Sequence, residues 1–164
     1  MKSFVGVGSA IVCLLGAACS DANAPPDLGN PVAFERLRAE PYSFTYHSGM
    51  DKPERIVVRD AVTWKAVWDQ INSRGSSVPL PAADFSREML VVAALGSRST
   101  GGFSILVEGA GESGGRINVS IRSDSPQNCV TTEAFTQPVD IARLPRSDEP
   151  VNFVERSTIT NCGD

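Results

Sequence analysis

Residues 88–107, EMLVVAALGSRSTGGFSILV, form the stretch around which the chain is organised. The stretch begins with an unbroken apolar run at 89–95, which is too short to cross a bilayer, because a spanning helix needs about 20 apolar residues. A run of this length is typical of a strand that is covered on both faces. After a polar, glycine-bounded loop at 96–102, three apolar residues alternate along one face of a strand: Phe103, Ile105 and Val107. The stretch therefore predicts two core strands joined by a loop.

One helix is predicted between Asp60 and Gly75. Four apolar side chains fall at i, i+3, i+4 and i+7 and form one stripe: Trp64, Val67, Trp68 and Ile71. Asp60 suits the N-cap and Gly75 suits the terminating position. We interpret the two tryptophans as the core anchor of the helix, in preference to a ligand-stacking platform. A stripe this bulky needs a flat apolar surface, such as the face of a sheet.

A loose glycine turn is predicted at 109–115 and a polar loop at 123–132. Further strands are predicted from aromatic or alternating segments. These strands lie at 43–46, 55–59, 116–122, 134–136, 139–142 and 151–154. The predicted fold is a β-rich α+β domain, an antiparallel sheet or half-sandwich with one amphipathic helix packed on it. We place this domain at 41–164.

The first residues have the layout of an export signal. Lys2 gives a positive start, an apolar segment follows, and small residues precede Cys19. The cysteine in this place resembles the lipobox of bacterial lipoproteins, which predicts a signal peptide at 1–18 and membrane attachment through lipid on Cys19. Ordinary secretion with cleavage nearby and an uncleaved anchor are the alternatives. Ser20 after the cysteine favours the outer membrane over the inner membrane, and 19–40 is predicted to be a tether of the cell-envelope domain.

Cysteine usage agrees with export. Cys13 leaves with the signal, Cys19 takes the lipid, and Cys129 and Cys162 remain. Two cysteines in an exported chain most simply form a disulfide, although two free thiols are the alternative. His47, the one histidine, and two distant cysteines do not have zinc-ligand spacing, so no metal is expected.

Composition argues against several function classes. The 164 residues carry a net charge of −4, and no basic cluster suited to nucleic acid is present. The chain has no HExxH or GxxxxGK[ST] motif, and a nucleophile would have to use His47 as its base. We therefore expect a non-enzyme with no cofactor and no small-molecule ligand, and keep an enzyme of unknown type as a third hypothesis.

Several motifs together resemble the C-terminal domain of PrcB-like proteins. They are the Trp64-x-x-x-Trp68 helix, the segment 84–89, the loop Thr100-Gly101-Gly102-Phe103-Ser104, the lone Cys129 in the following loop, and Arg143-Leu144-Pro145. The resemblance covers about 48–156. It implies a lipoprotein that associates with or stabilises an extracytoplasmic protease.

The loop that begins at Gly96 is the best candidate site. Polar donors and flexible glycines make it a candidate protein contact, formed by Ser97, Arg98, Ser99, Thr100, Gly101, Gly102 and Phe103. It also resembles the threonine-glycine-aromatic loop of chagasin-type cysteine protease inhibitors. A purely structural turn and a small-anion site are the other interpretations. The predicted function is an accessory or interaction protein of an extracytoplasmic protease, and the alternative is a direct protease inhibitor that uses the 96–102 loop.

Overall fold

The computed structural model describes residues 25–37, 46–74 and 78–163. These residues form eight strands and one helix. The strands are β1 (Asn30–Pro31), β2 (Glu35–Arg36), β3 (Pro53–Val58), β4 (Glu88–Leu95), β5 (Ser104–Ser113), β6 (Arg116–Gln127), β7 (Val139–Pro145) and β8 (Val151–Asn161). The helix is α1 (Ala61–Ile71).

The strands form two four-stranded sheets that pack as a sandwich. Sheet A has the order β1-β5-β6-β8, and sheet B has the order β2-β7-β4-β3. The β-rich prediction with a single helix is confirmed. The pairs are antiparallel except β6 and β8, which are parallel. This pair departs from the expected antiparallel sheet because the chain crosses to sheet B as β7 between them, so β8 starts beside the same end from which β6 started.

Strand β4 is buried on both faces, as its apolar run predicts. Met89, Val91 and Ala93 belong to the core between the two sheets. Leu90, Val92 and Ala94 belong to the core between sheet B and the helix. The molecule therefore has three layers, and β4 lies in the middle one.

The tryptophans of α1 are core residues. Trp64 is 2% exposed and Trp68 is 3% exposed. Their indole N–H groups donate to the carbonyls of Pro81 at 2.9 Å and Val78 at 3.0 Å, so they also fasten the loop that leads into β4. Asp60 caps the helix by accepting from the backbone N–H of Thr63 at 2.8 Å.

The end of the helix differs from the prediction. The helix stops at Ile71, and Asn72 forms its C-cap, with both its backbone N–H and its side chain donating to the carbonyl of Trp68. The expected terminator Gly75 lies outside the described residues. No helix in the described ranges is long and apolar enough to cross a bilayer.

Two segments that were expected to be loops are largely strand. The predicted turn at 109–115 reduces to Gly114 and Gly115, which have φ of 60° and 67°. The predicted loop at 123–132 loses its first five residues to β6, because outward polar side chains there bond across to β8, as in the Ser123–Ser157 pair at 3.0 Å. Conversely, the strand expected at 134–136 is only one bridge between Thr136 and Arg98. Most of the strand expected at 43–46 lies outside the described residues.

The predicted tether is also shorter than expected. Within 19–40, β1 pairs with β5 and β2 pairs with β7, so the domain begins before residue 41. Arg36 forms a two-point ion pair with buried Asp140 at 2.8 and 2.9 Å, which draws this polar segment against the sandwich. Two-residue strands carry no periodicity, and the sequence pattern does not reveal them.

The connections place the loops at two opposite ends of the sandwich. One end, which we call the hairpin end, carries the β5–β6 turn at 113–116 and the β7–β8 connection at 145–150. The opposite end, which we call the loop end, carries the β4–β5 connection at 96–103 and the β6–β7 connection at 128–137. Residues 46–47, which pair with Gln137, also lie there.

Candidate protein contact surface

The loop at 96–103 is fixed at its base by its own chain. The backbone N–H and the Oγ of Ser97 donate to Asp51, at 3.0 and 2.9 Å. Arg98 and Thr136 exchange both backbone hydrogen bonds, at 2.8 and 3.0 Å. A loop held in this way keeps one shape before any partner arrives, which lowers the entropic cost of binding.

The three glycines of this loop serve the fold. Gly96 has φ of 79°, and a Cβ there would lie 2.9 Å from Pro53. A Cβ at Gly101 would collide with Oγ1 of Thr132. Gly102 has φ of 85°, which an L side chain rarely adopts. The space that the missing side chains of these glycines leave is therefore occupied by other residues of the chain.

The polar and aromatic residues of the loop remain available to a partner. Ser97, Ser99 and Gly102 are exposed, and Arg98, Thr100 and Phe103 are partly exposed, whereas Gly101 is buried. The Arg98 guanidinium lies 5.6 Å from the centre of the Phe103 ring, which is a cation–π contact. Among the described residues, no carboxylate forms an ion pair with Arg98.

A cleft of about 610 Å³ opens beside this loop. It is lined by Tyr46, His47, Gly101, Gly102, Phe103, Thr132, Ala134 and Thr136. Three large apolar or aromatic side chains project from the same loops: Tyr46 is 51% exposed, Phe135 is 71% exposed, and Val130 is fully exposed. The candidate surface is thus wider than the loop at 96–103.

Sequence reasoning found one wall of the cleft and missed the others. The sequence pattern places Ala134 in a strand and Thr132 in a polar loop, and it identifies neither as part of the cleft. The signal for Thr132 was the glycine pair itself, since Gly101-Gly102 implies a close neighbour. No local pattern identifies that neighbour, because it lies some thirty residues away along the chain.

The disulfide stabilises this end of the molecule. The sulfurs of Cys129 and Cys162 lie 2.00 Å apart and their Cα atoms 4.8 Å apart. The backbone N–H of Cys162 also donates to the carbonyl of Gln127 at 3.0 Å. The bridge joins the β6–β7 connection, which also carries Thr132 and Ala134 of the cleft lining, to the residue that follows β8.

A second groove, of about 510 Å³, lies where β4 starts and β7 ends, near the hairpin end. Three of its charged side chains, those of Asp84, Glu88 and Arg143, have partners within the chain. Arg143 contacts Glu88 at 3.3 Å and donates to the carbonyl of Ala82 at 2.7 Å. We therefore rank this groove below the cleft at the loop end.

A polar network covers the outer face of sheet A. Glu108 accepts two hydrogen bonds from Arg156, each at 2.8 Å, and Arg122 contacts both Glu108 and Asp124. Burial alone would raise the pKa of Asp124, but hydrogen bonds from Thr158 and Ser104 and the charge of Arg122 outweigh burial and hold that pKa below its ordinary value. These groups form ion pairs and hydrogen bonds that link β5, β6 and β8.

The residues that the sequence offered for catalysis or metal binding do not lie together in the described ranges. His47 is exposed and pairs through its backbone with Gln137. The described residues contain no group of three or more His, Cys, Asp or Glu side chains that could hold a metal ion.

Comparison with known proteins gives one match. Residues 89–145 match the model of the PrcB C-terminal family, which covers the span from β4 to β7 and includes the loop at 96–103 and Cys129. The match is narrower than the span 48–156 suggested by the motifs, and α1 and β8 lie outside it. No curated protein and no solved structure matches the chain. Over residues 89–145, from β4 to β7, the chain is similar to the PrcB C-terminal family.

Proposed function

We propose that this chain is a non-catalytic lipoprotein of the cell envelope that binds another protein through its loop end, as an accessory subunit of an extracytoplasmic protease. One observation carries the proposal. Exposed aromatic and apolar side chains gather on fixed loops around Arg98, a cation without a carboxylate partner in the described part of the chain.

The composition of this surface suits a protein partner. Tyr, Phe and Arg are enriched in protein interfaces, and a few such residues supply most of the binding free energy. Tyr46, Phe103, Phe135 and Arg98 supply these types at one end of the sandwich. Their loops are held by the Arg98–Thr136 bridge and by the disulfide, so little order has to be gained on binding.

The envelope location rests on the sequence and on the disulfide. The lipobox-like segment ends at Cys19, and two acyl chains attach a protein stably without a spanning helix. A structural disulfide belongs to oxidising compartments outside the cytoplasm. Ser20 favours the outer membrane.

The partner class is proposed from the similarity of residues 89–145 to the PrcB C-terminal family. The PrcB C-terminal match supports a protease-associated accessory role, and no feature of the described residues supports chemistry of its own. The alternative is direct inhibition of a protease by the 96–102 loop. Exposure of Ser97, Ser99 and Gly102 favours this alternative, whereas the burial of Gly101 against Thr132 limits how far the loop can enter a cleft.

The test is capture of partners from solubilised envelopes with the full-length protein. Wild type should recover a defined protein, and a protease is expected. Phe135→Ser should weaken capture at least tenfold, because interface hot spots are worth about 2 kcal/mol or more. Val62→Ser is the matched control, because it removes an apolar side chain that is 81% exposed on α1, away from the loop end.

Three results would count against the proposal. Equal capture by Phe135→Ser and wild type would exclude the loop end as the contact surface. Failure to recover any defined protein would contradict the accessory role. Inhibition of a papain-like or serine protease that is lost on replacing residues 100–103 would establish the alternative.

A further inference from the structure

The chain enters the folded domain beside the hairpin end. The Leu28 carbonyl accepts from the Asn118 side chain at 3.2 Å, and the Leu28 side chain lies over Gly109 and Gly111 on the outer face of sheet A. A Cβ at Gly111 would come within 2.6 Å of the Leu28 carbonyl oxygen. The two glycines therefore form a seat for Leu28, close to the tip of the β5–β6 hairpin.

The next residues fasten this entry to both sheets. Asn30 pairs with Glu112 near the hairpin tip, and Glu35 pairs with Arg143 on sheet B. Arg36 then bonds to Asp140, whose carboxylate also accepts from the backbone N–H of Val107 at 2.8 Å. Residues 28–37, which we name the strap, are thus part of the sandwich and do not act as free linker.

The strap lies far from the candidate contact surface. Strand β5 runs from Ser104 at the loop end to Ser113 at the hairpin end. Its ten residues span about 30 Å at roughly 3.3 Å per residue. The entry point and the loop end are therefore separated by most of the length of the domain.

Little free chain remains between the entry point and the proposed lipid. Leu28 follows Cys19 by nine residues. Such a segment reaches at most about 30 Å when fully extended, and about 17 Å on average as a flexible coil. To bring the loop end to the bilayer, the segment would have to run fully extended back along the whole domain.

From these distances we infer that the strap sets the orientation of the domain on its membrane. The hairpin end faces the bilayer, and the loop end, with Arg98, Phe103 and Phe135, points away from it. The contact surface is then presented to a protein domain standing in the aqueous compartment, and not to lipid headgroups. This inference rests on the proposed anchor at Cys19.

The test measures energy transfer from a single fluorophore to acceptor lipids. Full-length lipidated protein is reconstituted in phosphatidylcholine vesicles as the Arg116→Cys or the Ser99→Cys variant. Both positions are exposed, at the hairpin end and the loop end respectively. The introduced thiol is the label site, because Cys129 and Cys162 are bonded and Cys19 is expected to be lipidated.

We expect transfer from position 116 to exceed transfer from position 99 several-fold. Equal transfer, or stronger transfer from position 99, would overturn the orientation. Adding Gly111→Val, which displaces Leu28, should reduce the difference in energy transfer between positions 116 and 99. Adding Gly114→Asn, at a turn tip with no neighbour within 4 Å, should leave that difference unchanged. An unchanged difference with Gly111→Val would show that the strap does not set the orientation.

Flotation of the same vesicles separates this inference from the anchor. Cys19→Ser protein should remain unbound while the lipidated protein floats with the vesicles. If the Cys19→Ser variant and the lipidated protein float equally, the proposed anchor at Cys19 is wrong, and the inferred orientation is wrong as well. If only the lipidated protein floats, the anchor stands, and the transfer ratio alone decides the orientation.

Discussion

The chain has two glycine-rich segments that look alike in sequence and differ in structure. Residues 96–102 form a true loop, which the chain's own residues Pro53, Thr132 and Pro126 pack against. Residues 109–115 are mostly strand, and their glycines make a seat for Leu28 before the turn at Gly114-Gly115.

The difference shows which part of the chain the glycines accommodate in each segment. In both segments a missing Cβ admits another part of the chain, so neither set of glycines is by itself evidence of a binding site. The contact surface at the loop end is supported instead by the exposed side chains of Tyr46 and Phe135 and by the partly exposed side chains of Arg98 and Phe103. At the hairpin end the glycines determine where the chain enters the domain.

The largest expected effect comes from removing the bridge that supports the loop end. The Cys129→Ala, Cys162→Ala double variant should lose about 3–4 kcal/mol of unfolding free energy, the chain-entropy estimate for the 33-residue separation of the two cysteines. Urea unfolding under non-reducing conditions measures it. A loss below about 1 kcal/mol would show that hydrogen bonds alone hold this end.

A smaller effect is expected at the seat of Leu28. Gly111→Val should cost about 1–3 kcal/mol, the usual cost of overpacking, because its side chain collides with the Leu28 backbone. Limited proteolysis should then cut within 25–37. Gly114→Asn is the control, since asparagine tolerates the φ of 60° there. Equal protease resistance of the two variants would contradict the seat.

At the loop end, we expect that the cost of a glycine substitution can be recovered by a second substitution. Gly101→Ala should cost about 1–2 kcal/mol, since its Cβ meets Oγ1 of Thr132. Adding Thr132→Ala removes that oxygen and should recover most of the loss, which a double-mutant cycle measures. Purely additive losses would mean that another contact requires the glycine.

The smallest effect is a pH dependence on sheet A. Because the folded pKa of Asp124 is depressed, this carboxylate contributes stability above its ordinary pKa of about 3.9. The contribution is lost as the pH falls through the folded pKa. Between pH 5 and pH 3, wild type should therefore lose more unfolding free energy than Asp124→Asn, and parallel curves would contradict this role.

The centre of the fold could be predicted from sequence because its signals are local. The apolar run of β4 predicts burial on both faces, and the spacing of Trp64 and Trp68 predicts a covering helix. The structure confirms both. Asp60 also caps the helix as expected.

The strap and the cleft could not be predicted, since both depend on contacts between distant residues. Strands β1 and β2 have two residues each, which is too short for any periodicity. Thr132 and Ala134 line the cleft with Phe103 only because the chain returns from β6 to the end of the sandwich at which β5 began. The parallel pairing of β6 with β8 also depends on a connection between distant residues, because the chain crosses to sheet B as β7 between these two strands.

The most direct test of a partner at the loop end is photocrosslinking in intact cells. A photoreactive amino acid replaces exposed Ser99 at the loop end or exposed Arg116 at the hairpin end, with Cys19 intact. We predict a defined protein adduct from position 99, absent from position 116. An adduct from position 116 alone would contradict the account.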